Sequence, residues 1–289
     1  MLPELPAEIL YLIFEFAACN EAATASSIDR LNHSWRTRTG SLLHHTVVLH
    51  TAQALIGFIE SIRSAPITPE GIRRPRQFYA DTVRYMSILH VRVPYHYIQV
   101  IYEYCTGITT LEVDAWAATP HRDKSLRIRD LLIPYFPADE AYLRSSVFTE
   151  LTHLWITQPV LSDQMPTTFP PKLEYLAVPF RALELQKFGR TQWFRHLDTY
   201  IPNLRLMIIN FIETYQYITT ISHDDGSFCH DKTWGIFLSA VQDPRILMRL
   251  VKGPYRLEAR RAREKGISLW DLAIQEGVPH HGDSGHHPS

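Results

Sequence analysis

The sequence predicts an α/β solenoid: a small module of three helices, then an irregular parallel sheet built from repeated strand and connector units. Three observations predict it. A frame of the form L-x-x-L-x-I recurs through the middle of the chain. The first 40 or so residues carry three successive helix candidates. The 12 glycines form no G-x-G and no G-x-S-x-G, so the loops that cradle phosphates or present a nucleophile in other α/β proteins are missing. The length of 289 residues leaves ample material for a core, as one large domain or two smaller ones. With 29 Lys and Arg against 30 Asp and Glu, the net charge of −1 argues against a dedicated nucleic-acid binder. Cys19, Cys105 and Cys229 have no paired spacing, which argues against a disulfide scaffold and fits a reducing compartment.

At the N-terminus, Met1 to Glu8 lacks a basic region and carries two acids, so it does not read as a secretory signal. The apolar stretch from Ile9 to Cys19 is interrupted by Glu15 and falls short of the roughly 20 residues of a membrane span. Pro6 suits a first helical turn and Glu8 suits the positive helix end, which predicts a helix over Ala7 to Ala18. Its apolar residues Ile9, Leu10, Leu12, Ile13, Phe14, Phe16 and Ala17 sweep roughly 200°, twice the stripe that one core contact needs. The surplus face either packs on later parts of the chain or docks an external partner. Two short helices, Ala22 to Leu31 and Leu31 to Arg38, follow.

Leu5-Pro6-Ala7-Glu8-Ile9-Leu10-x-x-Ile13-Phe14, followed by Leu31-x-x-x-Trp35-Arg36, resembles an F-box, the helical module that binds the small adaptor subunit of SCF-type cullin–RING ubiquitin ligases. The resemblance spans residues 3 to about 40. It implies an adaptor-binding face and its support made of Leu5, Pro6, Ile9, Leu10, Ile13, Phe14, Leu31 and Trp35. Family members usually carry an apolar second helix containing Asp-Leu, whereas Cys19 to Ser27 is small and polar here.

Thr46 to Leu49 reads as a strand, and Leu55, Phe58, Ile59 and Ile62 mark one side of the helix after it. Ser64 to Arg76, with three prolines, is a loop. The frame then begins at Val83, Ile108, Leu151, Leu173 and Leu204, with starts 25, 43, 22 and 31 residues apart. The long interval has room for a degenerate rung around Leu126 to Ile133. These segments resemble irregular leucine-rich-repeat rungs without the usual asparagine. Between them, Tyr97 to Cys105, Tyr142 to Phe148 and Gln192 to Tyr200 read as helical connectors, and Thr157 to Pro171 as an irregular loop.

Strand alternation places Leu154 and Ile156 on one face and His153, Trp155 and Thr157 on the other. The second face, if open and concave, carries Tyr85, Glu112, Asp114, His153, Trp155, Tyr175 and Asn210 as candidate target-binding residues. The alternative is that loops or helices cover Trp155 and Tyr175.

Toward the end, Thr233 to Val241 is a last strand or short buried element, and Ile246 to Val251 is an apolar run of either type. Arg245 to Lys265 is rich in Arg and Lys but has a single aromatic, Tyr255, so it reads as a solvated helix face near Arg256 to Lys265 rather than a nucleic-acid site. Ile267 to Ile274 is an amphipathic helix with Ser268 at its N-cap, expected to cap the end of the solenoid. The cluster from His223 to Asp231 lacks a second ligand pair and reads as a polar loop, while the histidines after Gly277 belong to a frayed tail. The organisation expected is a helical module over 1–40, a repeat domain over 41–245, a cap over 246–276 and a tail over 277–289.

The function that the resemblance implies is a non-catalytic substrate-recognition subunit, cytoplasmic or nuclear. It would bind the adaptor and cullin of an SCF-type ligase at one end and a target protein at the other. No cofactor, metal, nucleic acid or membrane partner is expected. The polar second helix keeps open an F-box-like scaffold without ligase activity. An α/β enzyme, with polar residues gathered at the strand ends, is the third alternative.

Overall fold

The repeated frame folds as a buried residue, a one-step turn and a four- to seven-residue strand. The computed structural model describes residues 45–64, 77–89, 94–113, 126–137, 140–161, 165–181, 196–212, 243–251 and 268–276, together with Glu258 and Ala262. The three helices expected at the N-terminus, the expected adaptor-face residues Leu5, Pro6, Ile9, Leu10, Ile13, Phe14, Leu31 and Trp35, and Asp114 lie outside the described residues. So do the loop over 223–231, the segment Thr233 to Val241 and the tail. The chain divides into two compact units, Met1–Arg129 and Asp130–Ser289.

In the first unit, strands β1 (Thr46–Leu49), β2 (Tyr85–Ile88) and β3 (Thr110–Val113) pair in parallel. Helices α1 (Ala52–Ser64), α2 (Gln77–Thr82) and α3 (Tyr95–Tyr104) lie between them in sequence. Parallel pairing obliges each connection to cross over, and the connector's apolar side then covers one face of the strands. That face presents Val47, Met86 and Leu111 in one row and Leu49, Ile88 and Val113 in the next, all buried. Leu55, Ile59 and Ile62 of α1 and Ile98, Ile101 and Tyr102 of α3 complete the core, at the spacing expected of one helical stripe. Helix α2 was not expected from the hydrophobic spacing. It buries Tyr79, whose ring stands edge-on to Phe58 with centroids 5.8 Å apart.

Gly107 occupies the turn between α3 and β3 because a side chain has no room there. The Arg84 guanidinium crosses it, donating from Nη1 to the carbonyls of Ala80 at 2.8 Å and Gly107 at 3.1 Å. A Cβ on Gly107 would collide with the Ala80 carbonyl oxygen and with Arg84 Nη1. Gly107→Ala is therefore expected to cost about 1–3 kcal/mol by overpacking, measured as a lowered urea midpoint with an unchanged slope.

In the second unit, β4 (Asp130–Ile133), β5 (His153–Ile156), β6 (Tyr175–Arg181), β7 (Leu206–Ile212) and β8 (Ile246–Val251) pair in parallel in chain order. Ile246–Val251, open between strand and helix in the sequence, is thus a strand. The connector expected to be helical over Tyr142 to Phe148 is two 3₁₀ turns, Glu140–Arg144 and Ser146–Phe148. The helix before β7 is the single turn α4 (Leu197–Tyr200). One sheet face again holds the frame positions, with Leu131, Leu154, Leu176, Met207 and Ile246 in a buried row.

The 43-residue interval resolves into an intact rung. Ile128-x-x-Leu131-x-Ile133 keeps the frame, 20 residues after Ile108 and 23 before Leu151, and all three side chains are fully buried. The turn before the strands repeats in detail as well. The carbonyl of Arg84 accepts the N–H groups of both Thr109 and Thr110, that of Thr152 accepts Glu174 and Tyr175, and that of Glu174 accepts Arg205 and Leu206, all at 2.8–3.1 Å. Closing amphipathic helix α5 (Leu269–Glu276) starts at Ser268 as expected. The Ser268 hydroxyl accepts the Asp271 N–H at 3.0 Å, and the Asp271 carboxylate accepts from Ser268, a reciprocal cap. No helix among the described residues is long and apolar enough to cross a membrane.

Candidate functional site

The second face of the second unit gathers most of the residues proposed for target binding, in three rows fixed by strand register. The first row is Asp130, His153, Tyr175 and Leu206. Two residues further along each strand comes Leu132, Trp155, Ala177, Ile208 and Leu247. A further step brings Pro179, Asn210 and Arg249. Because side chains alternate with period two, all three rows point the same way.

The middle row is dry. Trp155, Ala177, Ile208 and Leu247 form a buried cluster with Ala273 of α5, flanked by Leu132, Leu206, Leu269 and Trp270. The closing helix therefore lies on the sheet face, and the expectation that it caps the end of the strand array is corrected. Leu269 and Ala273 are four residues apart, so they share one side of α5 and point together at the row. The open concave face is corrected with it: Trp155, at 3 % exposure, is covered, and the alternative of a covering helix is what occurs.

Trp270 meets the first two rows edge-on, with ring centroids 5.3 Å from His153, 4.9 Å from Trp155 and 5.9 Å from Tyr175. His153 and Tyr175 stack in parallel at 4.3 Å. Edge-to-face and offset arrangements of this kind suit the ring quadrupoles and add about 0.5–1.5 kcal/mol per pair beyond area burial. His153 Nδ1 lies 3.1 Å from Asp130 Oδ1 and 2.8 Å from Thr152 Oγ1. His153, Tyr175 and Asp130 remain half-buried, so the first row is the accessible margin of the face.

The third row is polar and buried. Arg249 is 1 % exposed and forms an ion pair with Glu258, 3 % exposed, which reaches the sheet from a helical position near the C-terminus. The sequence placed Glu258 on a solvated helix face, and that expectation is corrected. Taking two charges out of water costs more than a surface pair returns, so the two are held by each other. Asn210 sits beside Arg249 in register, buried, with no hydrogen-bond partner for its Oδ1 among the described residues.

The first unit carries a smaller polar group. Glu112 is buried and its Oε2 accepts from the Tyr85 hydroxyl at 2.5 Å and the Ser87 hydroxyl at 2.8 Å. Tyr85 and Glu112 are thus brought together, though Glu112 is spent on this internal contact and is not the exposed acid expected.

At the N-terminal edge of the second unit, each of the four steps between neighbouring strands carries a contact between an acidic and a basic side chain. Asp130 meets His153, Glu150 meets Lys172 at 2.7 Å, Glu174 meets Arg205 at 3.1 Å and Asp198 meets Arg245 at 2.7 Å. The acid always belongs to the earlier rung and the base to the later one. Singly, such exposed pairs are worth about 0–1 kcal/mol. Arg245 also grips Asp243, donating from Nε at 2.9 Å and from Nη2 at 2.5 Å. The Arg245 hydrogen bond holds the Asp243 carboxyl below its ordinary 3.8, and the two carboxylates push the Arg245 guanidinium up. A depressed native value means the unfolded chain binds the proton first. The Asp243 contribution is therefore complete above about pH 4 and fades as pH falls from 3.8 through the native value. Arg245→Gln is expected to return the Asp243 titration toward 3.8, followed by carboxyl NMR.

For reaction chemistry, burial pushes the Cys105 thiol up to about 12, which leaves it without the thiolate needed to attack or to bind a metal. Among the described residues no three of His, Cys, Asp and Glu converge as a metal site would require. The contributors that sequence reasoning missed are Asp130, Trp270, Arg249 and Glu258. The signal for Trp270's position was present: Leu131-Leu132-Ile133, Leu154-Trp155-Ile156, Leu176-Ala177-Val178 and Met207-Ile208-Ile209 are apolar at every position, the mark of strands buried on both faces. No family model matches the chain, and no curated protein matches it.

Proposed function

We propose that this chain is a substrate-recognition subunit of an SCF-type cullin–RING ubiquitin ligase, an F-box module followed by a solenoid of leucine-rich-repeat type. The reading is carried by one conjunction: the Leu5-Pro6-Ala7-Glu8-Ile9 opening with Trp35-Arg36 stands in the same chain as a frame whose rungs bury every L, L and I position from Val83 to Ile209. Leu5, Pro6, Ile9, Leu10, Ile13, Phe14, Leu31 and Trp35 serve the adaptor. In the second unit the half-buried His153 and Tyr175 serve the target, with Trp155 and Asn210 as buried support; in the first unit Tyr85, bonded to the buried Glu112, and Asp114 after it in sequence are separate candidates. The subunit breaks no bond. It raises the effective concentration of the target beside the charged ubiquitin carrier and fixes its orientation.

Co-expression with the adaptor and cullin tests this. A stable ternary complex is expected, and Ile9→Asp with Ile13→Asp should abolish it while the circular dichroism of the chain is retained. Adaptor capture without cullin would point to the scaffold alternative, and capture unaffected by the double substitution would remove these residues from the interface.

A further inference from the structure

The choice between lysine and arginine along this chain has a chemical consequence for a ligase subunit. Of the Lys and Arg residues between Met1 and Asp123, all ten are arginine, and the first lysine is Lys124. From there on the two types mix, with six lysines among thirteen further arginines. We infer that the part of the chain carrying the adaptor face and the strands of the first unit is built to stay beside the charged ubiquitin carrier without being modified by it. The inference rests on the substrate-recognition reading and names how that subunit escapes its own ligase.

The chemistry is that of the acceptor. Transfer joins the ε-amine nitrogen of a lysine to the carbonyl carbon of the thioester between carrier and ubiquitin. An isopeptide bond forms, the thioester bond breaks, the carrier cysteine leaves as its thiolate, and the proton shed by the amine passes to solvent. Arginine cannot take that part, because its guanidinium keeps its proton and has no lone pair to offer. A tethered subunit is the protein nearest the thioester for as long as the complex lasts. Any lysine within reach there reacts at the effective concentration of an intramolecular group.

The structure separates arginines that need a guanidinium from one that does not. Arg84 does: its planar fork crosses Gly107 and donates to the carbonyls of Ala80 and Gly107. Arg63 does not. It is exposed in the last turn of α1, where a lysine would complement the negative helix end equally well. The preference for arginine therefore extends to a surface position at which positive charge alone is required. Among the described residues the one lysine is Lys172, and both oxygens of Glu150 hold its ammonium, at 2.8 Å and 2.7 Å.

Reconstitution of the full chain with adaptor, cullin, RING subunit and charged carrier tests this. Ubiquitin conjugated to lysines of the chain is mapped by mass spectrometry, and discharge of the carrier to free lysine reports that the complex is active. The comparison is with Gln53→Lys and Arg63→Lys together, two exposed positions on α1 whose substitution leaves the buried stripe of that helix intact. The substituted chain is expected to modify itself about 10-fold faster than the unsubstituted one, with the added conjugates on residues 53 and 63. Equal rates in an assembled, active complex overturn the inference and leave the ligase reading standing. So does rapid self-conjugation of the unsubstituted chain to the level of the substituted one. Failure of adaptor and cullin to assemble with either chain removes the ligase reading, and the inference falls with it.

Discussion

Glu258→Gln is expected to destabilise the second unit by about 3–5 kcal/mol. The substitution leaves the Arg249 guanidinium, 1 % exposed, without the carboxylate that balances it. The cost is that of a buried cation stripped of the carboxylate of its ion pair, so it exceeds the net worth of the intact pair. The companion experiment separates the two quantities. Replacing both residues by apolar ones of similar size, Arg249→Met with Glu258→Leu, is expected to be neutral or to stabilise by up to about 4 kcal/mol. Urea unfolding of the single and double variants measures both. A single-variant cost below about 1 kcal/mol would show that Glu258 is hydrated in solution and that the third row is not sealed.

Trp155→Ala comes next, with an expected cost of about 3–5 kcal/mol from lost transfer energy and the cavity left between sheet and helix. Trp155 sits in the middle row, between Leu132 and Ala177 in register, with Trp270 4.9 Å away edge-on. Trp270→Ala should cost less, because that ring is half-buried. The two are in contact, so their effects should not add. A double-mutant cycle is expected to show a coupling of about 0.5–1.5 kcal/mol. Additive effects would mean that α5 and β5 do not meet in solution.

How much of this was legible beforehand follows from which physical signal each feature leaves. Buried period-two and helical positions leave a strong one. The frame positions from Val83 to Ile209 and the stripe of Ile98, Ile101, Tyr102 and Cys105 all fall where hydrophobic spacing puts them. The rung at Ile128 was half-hidden because its neighbours include Arg127, Arg129 and Asp130, which dilute the apolar pattern without disturbing it. What covers a face is harder to read, because it depends on segments far away in sequence. Strand alternation assigned Trp155 and Asn210 to one side correctly, but alternation does not say whether that side is wet. The middle residues did say it: Leu132, Trp155, Ala177 and Ile208 are apolar in the second unit, whereas Ser87 and Glu112 are polar in the first. Charge misled at Glu258, since a carboxylate among arginines reads as surface until the one arginine it neutralises proves to be inside.

The contacts between acidic and basic side chains along the N-terminal edge have a direction, acid on one rung and base on its successor, repeated at all four steps of the second unit. A duplicated segment spliced into this series would arrive with a base for the rung before it and an acid for the rung after it. No compensating change would be needed on either side. A gene that lengthens by copying whole units would therefore keep an acidic side chain facing a basic one at each new step.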